Sequence, residues 1–286
     1  MNTVAVIADS SASLPPALAK KWGIIVVPLQ VIVDDRAFRE GEEISPSEVL
    51  AHLVGSRAVS TSQPGVEAFQ AAFRRAAEAG ATAAVAVLIS GEMSGTVNAA
   101  LTAAQSASIP VEVVDTRNVA MASGFAALAA SAIAATGAEM AAVAQRAREV
   151  AASAFCVFTL DSLEYLKRGG RVSAATAMIG DALSLRPVVE IREGKLVVLD
   201  RVRTTARARR SMLDTIDARL ATYARPAAAI MVLGEEQFGN DIALLVESRH
   251  PELAMLVRTP VSAVLAAHAG PGALAAVVVD LPGDVA

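Results

Sequence analysis

The chain has few aromatic residues: one Trp, two Tyr and seven Phe in 286 residues, 3% in all. With Trp22 and Tyr165 isolated in sequence, there is no stacking platform for single-stranded nucleic acid. Its one cysteine, Cys156, cannot form an internal disulfide. The opening MNTVAVIADS has neither the basic region nor the apolar core of a secretory signal, so a reducing, cytoplasmic setting is expected. Three histidines, His52, His250 and His268, fall in no metal-ligand spacing with that cysteine, and neither a metal nor any other cofactor is expected. Net charge is -4, which opposes a general nucleic-acid surface, since that requires a basic field. Standard motifs are also missing. There is no G-x-x-x-x-G-K-[ST] phosphate loop. Gly270-Pro271-Gly272 with Ala275 precedes a strand pattern instead of following one, which rules out a dinucleotide fingerprint. Gly91-Glu92-Met93-Ser94-Gly95 misses the nucleophile-elbow spacing by one residue.

What the chain has in excess is aliphatic: hydrophobic residues reach 54%, mostly alanine, valine and leucine. That much apolar side chain offsets ordering entropy and excludes a disordered chain. Smooth walls with few polar tips follow, serving either as core or as the lining of an apolar pocket. Two uncharged stretches, 119–138 and 259–279, have the length of a membrane span. The first is mostly alanine and lacks the Leu, Ile, Phe and Val that drive insertion. The second is broken by Gly270-Pro271-Gly272 and reads as two short buried elements.

The length favours two domains, with a single barrel as the fallback. Short β-branched runs alternate with alanine-rich segments of helical length, the pattern of an α/β fold. Strands are expected at 4–8, 24–33, 84–89, 111–114, 155–160, 228–233, 255–257 and 276–279. Helices are expected at 15–21, 65–79, 96–107, 123–134, 138–152, 206–223 and 241–248. Arg192-Glu193-Gly194-Lys195 between apolar runs reads as a hairpin. A change in character near 150–158 suggests two domains, 1–155 and 156–286.

In the first half, small hydroxyl or carboxylate residues recur where helices should begin: Asp9-Ser10-Ser11, Thr61-Ser62, Ser90 with Ser94-Gly95-Thr96, and Asp115-Thr116. They would either cap helices or line the crevice at the carboxyl ends of a parallel sheet. Thr61-Ser62-Gln63-Pro64-Gly65 and Ser94-Gly95-Thr96 each offer hydroxyls and backbone N–H groups to an anionic oxygen. His268 is a lone polar ring in an uncharged stretch, either a satisfied core histidine or a site residue. Hydroxyls and one imidazole beside aliphatic walls suit holding an anionic head group. The alternative is a serine-type acyl hydrolase using Ser94 and His268, although no orienting acid is evident. The run Arg201, Arg203, Arg207, Arg209 and Arg210 is either a solvated face, with Leu213, Ile216 and Leu220 packed opposite, or a basic patch for an acidic partner protein or a phosphate.

Taken together, VAVIADSSASLP, Thr61-Ser62-Gln63-Pro64, Ser94-Gly95-Thr96, Val114-Asp115-Thr116, LDSLEYLKRGGRVS, Leu185-Arg186-Pro187, Arg203-Thr204 and His268-x-Gly-Pro-Gly resemble, in order and spacing, the DegV family of bacterial fatty-acid-binding proteins. The resemblance implies an EDD-type fold: an N-terminal domain with a mostly parallel sheet flanked by helices, a C-terminal domain with a mixed sheet and helices, and a long-chain fatty acid such as palmitate or oleate between them. It implies a lipid carrier rather than an enzyme, with the carboxylate on Thr61 and Ser94 and with Ser62, Gly95, Thr96 and His268 nearby. It further implies a fatty acid kinase that receives the bound acid and phosphorylates its carboxylate, docking at Arg171, Arg201 and Arg203. The chain departs from the family in the residues after Thr96, in the helix entry near 120–124, and at Ala275, where glycine is common. These departures bear on chain-length and saturation preference.

Overall fold

The computed structural model of the chain describes residues 3–171, 185–283 and 285; Val172 and Ser173 of the LDSLEYLKRGGRVS segment lie outside them. The first strand, β1 (Val4–Asp9), leads through helix α1 (Pro16–Lys21) to β2 (Ile25–Val27). Sequence predicts one strand over 24–33, but Pro28 has no N–H to give a ladder, and the run splits there. Its second half, β3 (Gln30–Val33), pairs antiparallel with β4 (Arg36–Arg39) and β5 (Val59–Ser62) in a small sheet of order β4-β3-β5. Helix α2 (Pro46–Val54), between β4 and β5, is closed by a full capping box of Ser45 and Glu48.

Next come α3 (Val66–Glu78), β6 (Ala83–Leu88), α4 (Thr96–Ala104), β7 (Val111–Asp115), α5 (Met121–Ala134) and α6 (Met140–Ser153). Strands β2-β1-β6-β7 form a wholly parallel sheet. The rest of the chain supplies β8 (Phe155–Thr159), α7 (Glu164–Arg168), β9 (Arg186–Arg192), β10 (Lys195–Val202), α8 (Thr205–Leu220), β11 (Pro226–Val232), α9 (Glu236–Arg249), β12 (Met255–Pro260), α10 (Ala263–Ala269) and β13 (Leu274–Asp280). A six-stranded mixed sheet of order β10-β9-β8-β13-β11-β12 uses only strands from residue 155 onward. The expected hairpin joins β9 to β10, with Glu193 and Gly194 both at positive φ, 51° and 82°.

Strand alternation assigns each sheet two apolar faces. On β6, Ala84, Ala86 and Leu88 face Phe69, Phe73 and Ala100 of α3 and α4, while Val85 and Val87 face the shared centre. On β13, Ala276 and Val278 face Met212 and Ile216 of α8, and Val277 and Val279 face inward. Helices α5 and α6 lie in that centre, in contact with both the parallel sheet and β13. Residues 121–132 of α5 are all buried, so the uncharged stretch is an internal helix, hydrophobic on every side. Alanines at 126, 127, 129, 130, 144 and 147 let two sheets close on one helical layer. No helix among the described residues is long and apolar enough to cross a membrane.

Candidate functional site

A cavity opens where the inner face of the mixed sheet meets the loops after β5 and β6 and the short helix α10. Its walls include Ile89, Met93, Val119 and Leu166, with Cys156, Phe158, Met231 and Ala275 from the mixed sheet. The space open to a water-sized sphere is about 100 Å³. Away from its polar side chains the wall is apolar, a lining that favours hydrocarbon over water. Cys156 is buried in β8 as its strand position predicts, and burial pushes its thiol up to about 12, so it contributes surface and not thiolate chemistry.

The polar side chains of the lining are Thr61, Ser62, Gln63, Ser94, Arg171 and His268. Thr61 and Ser62 end β5, so they are held by an antiparallel ladder, not by the helix start the sequence suggested; Gly65 is the residue that precedes α3. Thr61 Oγ1 lies 2.8 Å from His268 Nε2, and Ser62 donates to Gln30 at 3.3 Å. Ser94 sits before α4, with its hydroxyl 2.8 Å from that of Thr96, and accepts the Thr96 N–H at 3.4 Å. Thr96 is fully buried behind Ser94, and Gly95 lies against Gln63, whose amide would stand 2.0 Å from a Cβ at that position. Neither Gly95 nor Thr96 reaches the cavity wall.

Two sequence segments interlock around His268. A Cβ at Gly169 would stand 2.0 Å from His268 Nδ1, one at Gly270 would stand 2.2 Å from Tyr165, and one at Gly272 would stand 2.5 Å from Asp161. Gly169, Gly270 and Gly272 are therefore the space into which the other segment's side chains fit. Held this way, Nδ1 is buried with no hydrogen-bond partner among the described residues. A ring proton on Nε2 leaves only a lone pair unpaired at Nδ1; Nε2–H then donates to Thr61, freeing the Thr61 hydroxyl to donate into the cavity. Burial first, and the nearby Arg171 guanidinium second, push the His268 pKa down to about 4, so the ring is neutral at physiological pH.

Arg171, which the resemblance implies for partner docking, lines this cavity; its guanidinium donates to the carbonyls of Met93 at 3.3 Å and Gly169 at 2.6 Å. Gln63 and Gly169 are site residues that sequence reasoning passed over, although both stand inside motifs it quoted. A Ser94–His268 nucleophile pair is not formed: the imidazole is bonded to Thr61, Ser94 to Thr96, and among the described residues no acid orients Nδ1. Asp9-Ser10-Ser11 and Asp115-Thr116 stay outside the wall. Asp9 caps the 3-10 turn Ser10–Ala12, and Asp115 accepts N–H bonds from Gly91 and Arg117. Arg201 and Arg203 are exposed on and after β10, while Leu213, Ile216 and Leu220 of α8 are buried. Among the described residues, no group of His, Cys, Asp or Glu is placed to hold a metal ion.

The comparisons with known proteins agree with this architecture. Residues 3–281 match the family "Uncharacterised protein, DegV family". A DegV domain-containing protein of Streptomyces coelicolor is 41% identical over 275 residues, covering 96% of this chain and 98% of that one. Another from Mycobacterium tuberculosis is 36% identical, covering 95% of each. Among solved structures, a fatty-acid-binding DegV family protein from Thermus thermophilus superposes with a TM-score of 0.90 at 31% identity, over 98% of this chain and 100% of that one. With its parallel sheet, mixed sheet and nearly full-length matches, the chain belongs to the DegV family.

Proposed function

We propose that the cavity holds one long-chain fatty acid, such as palmitate or oleate, between two α/β domains spanning 1–155 and 156–286. The observation that carries this reading is the division of the wall: two polar pairs, Thr61 with His268 and Arg171 with the Met93 carbonyl beside Ser94, share a cavity whose remaining lining, apart from Ser62 and Gln63, is apolar. The carboxylate meets the hydroxyls of Thr61 and Ser94, the Thr61 proton being freed by His268, with the Arg171 charge close by. Ser62, Gly95 and Thr96 support those groups from behind. The alkyl chain runs over Cys156, Phe158, Met231 and Ala275, gaining about 0.8 kcal/mol for each methylene buried, so the chain supplies most of the affinity and the hydroxyls set orientation. In this reading the protein is a carrier without turnover of its own and has no cofactor. It delivers the acid to a fatty acid kinase across the exposed Arg201 and Arg203.

Native mass spectrometry of the freshly purified protein is expected to show an added mass equal to a fatty acid. Thr61→Ala with Ser94→Ala is expected to weaken oleate binding by roughly 3 kcal/mol or more, since each charge-assisted hydrogen bond contributes about 1.5 to 3. A protein that is empty as isolated and ignores added oleate and palmitate refutes the ligand. Charge reversal at Arg201 and Arg203 that leaves phosphorylation of the bound acid by the kinase unchanged refutes the docking face.

A further inference from the structure

The Asp9-Ser10 segment, which does not reach the ligand cavity wall, is bonded to the backbone of residues that do. Asp9 Oδ2 accepts the N–H of Ile89 at 2.7 Å. Ser10 Oγ accepts the N–H of Leu29 at 2.9 Å and donates to Glu40 Oε2. The other Glu40 oxygen accepts the N–H of Val264 at 2.8 Å, in the first turn of α10. The backbone N–H of Glu40 returns to the Leu29 carbonyl at 2.9 Å, closing a ring. Leu29, Ile89 and Val264 come from three separate segments, and each lines the cavity.

We propose that Asp9, Ser10 and Glu40 are positioning residues of this cavity: they gather the backbone of Leu29, Ile89 and Val264 and thereby fix where α10 presents His268 to Thr61. Both carboxylates are buried, 1% and 6% exposed, with no cation paired to either among the described residues. Burial raises both pKa values, a penalty that hydrogen bonds only partly offset. Glu40 is buried at the end of the largely exposed β4, its two oxygens taken up by Ser10 and Val264. Helix α10 has seven residues, too short to persist alone, so Glu40 and the Ser262 cap at its start determine where its last turn, with His268, stands.

The consequence for binding rests on the fatty-acid reading above; the geometric one does not. The test compares Ser10→Ala, Glu40→Ala and Glu40→Gln with Met212→Ala, a core truncation behind the mixed sheet. Oleate affinity is measured by calorimetric titration, and the His268 ring by NMR in delipidated protein. Ser10→Ala and Glu40→Ala are expected to lose at least tenfold in oleate affinity and to shift the His268 ring signals and titration midpoint. Glu40→Gln keeps an acceptor for Val264 and is expected to fall between them and the unmodified protein. Met212→Ala is expected to lose as much stability and to move neither readout. Unchanged His268 signals in folded Ser10→Ala and Glu40→Gln overturn the inference, as does an equal change in Met212→Ala. If the unmodified protein binds no oleate, the ligand reading fails, and the ring signals of the delipidated variants still decide the positioning role.

Discussion

Acidification isolates the contribution of His268. In the folded protein its pKa is depressed to about 4 by burial and by Arg171, against an ordinary value of 6.5. Between those limits the unfolded chain binds a proton that the native state refuses. The stabilisation is therefore fully present above pH 6.5 and is lost as pH falls toward 4. At 1.36 kcal/mol per unit, and with half protonation at the lower limit, the loss is about 3 kcal/mol. Asp9 and Glu40 act in the opposite sense: burial raises their pKa values, so their contribution improves as pH falls. The measurement is therefore a difference. Urea unfolding of delipidated protein and of His268→Gln is followed from pH 7.5 to 4, the glutamine retaining a polar partner for Thr61. The stability advantage of the unmodified protein is expected to shrink by about 3 kcal/mol over that interval. A bound carboxylate favours the imidazolium, so saturating oleate is expected to move the ring's titration upward. A pH-independent difference, or a ring that titrates near 6.5 in the folded protein, refutes the geometry assigned to His268.

Other consequences are sharp enough to measure. Gly169→Ala drives a methyl into the His268 ring and is expected to destabilise by at least 2 kcal/mol while weakening oleate binding, seen in paired unfolding and titration. Thermal unfolding of Ser45→Ala, which breaks the α2 capping box, is expected to show a loss of about 0.5 to 2 kcal/mol with binding unaffected. Cys156 is expected to resist iodoacetamide in native protein at pH 8 and to react on unfolding; rapid native labelling would contradict its burial. Ala275 stands between Phe158 and Met231 in register, all three on the cavity wall. Ala275→Leu fills that gap and is expected to cost palmitate more affinity than decanoate in competition binding.

Most of the strands and long helices were legible in the sequence because periodicity reports which face is buried. The exceptions, among them the nine-residue α2, have more than one cause. The split at Pro28 and the small sheet of β3, β4 and β5 are set by pairing between distant segments, and β4 has almost no apolar signal of its own. Helices α7 and α10 have five and seven residues, too few to establish a period. At the site, Thr61, Ser94 and His268 were visible as residue types. The pairing of Thr61 with His268 across 207 positions was not, and neither was the reason that Gly169 must be glycine. The resemblance implied Arg171 as a docking residue, and only the packing of KRGGR against HAGPG brings it to the cavity lining. Alanine excess had two open meanings in composition. The structure assigns much of it to the layer between the sheets, and Ala120, Ala269, Ala273 and Ala275 to the cavity.

The strand order of the mixed sheet also has a bearing on biosynthesis. β13 is the sixth of its strands to be translated, yet it sits between β8 and β11 and is the sole bridge between β10-β9-β8 and β11-β12. Until it emerges, a nascent chain carries two partial sheets with bare edges at β8 and β11, the surfaces on which incomplete chains associate wrongly. The same strand brings Ala275 to the cavity wall, with Ala273 just before it. A ribosome-bound intermediate lacking β13 therefore has no closed cavity, and under the proposed function a lipid is captured only after this strand is in place.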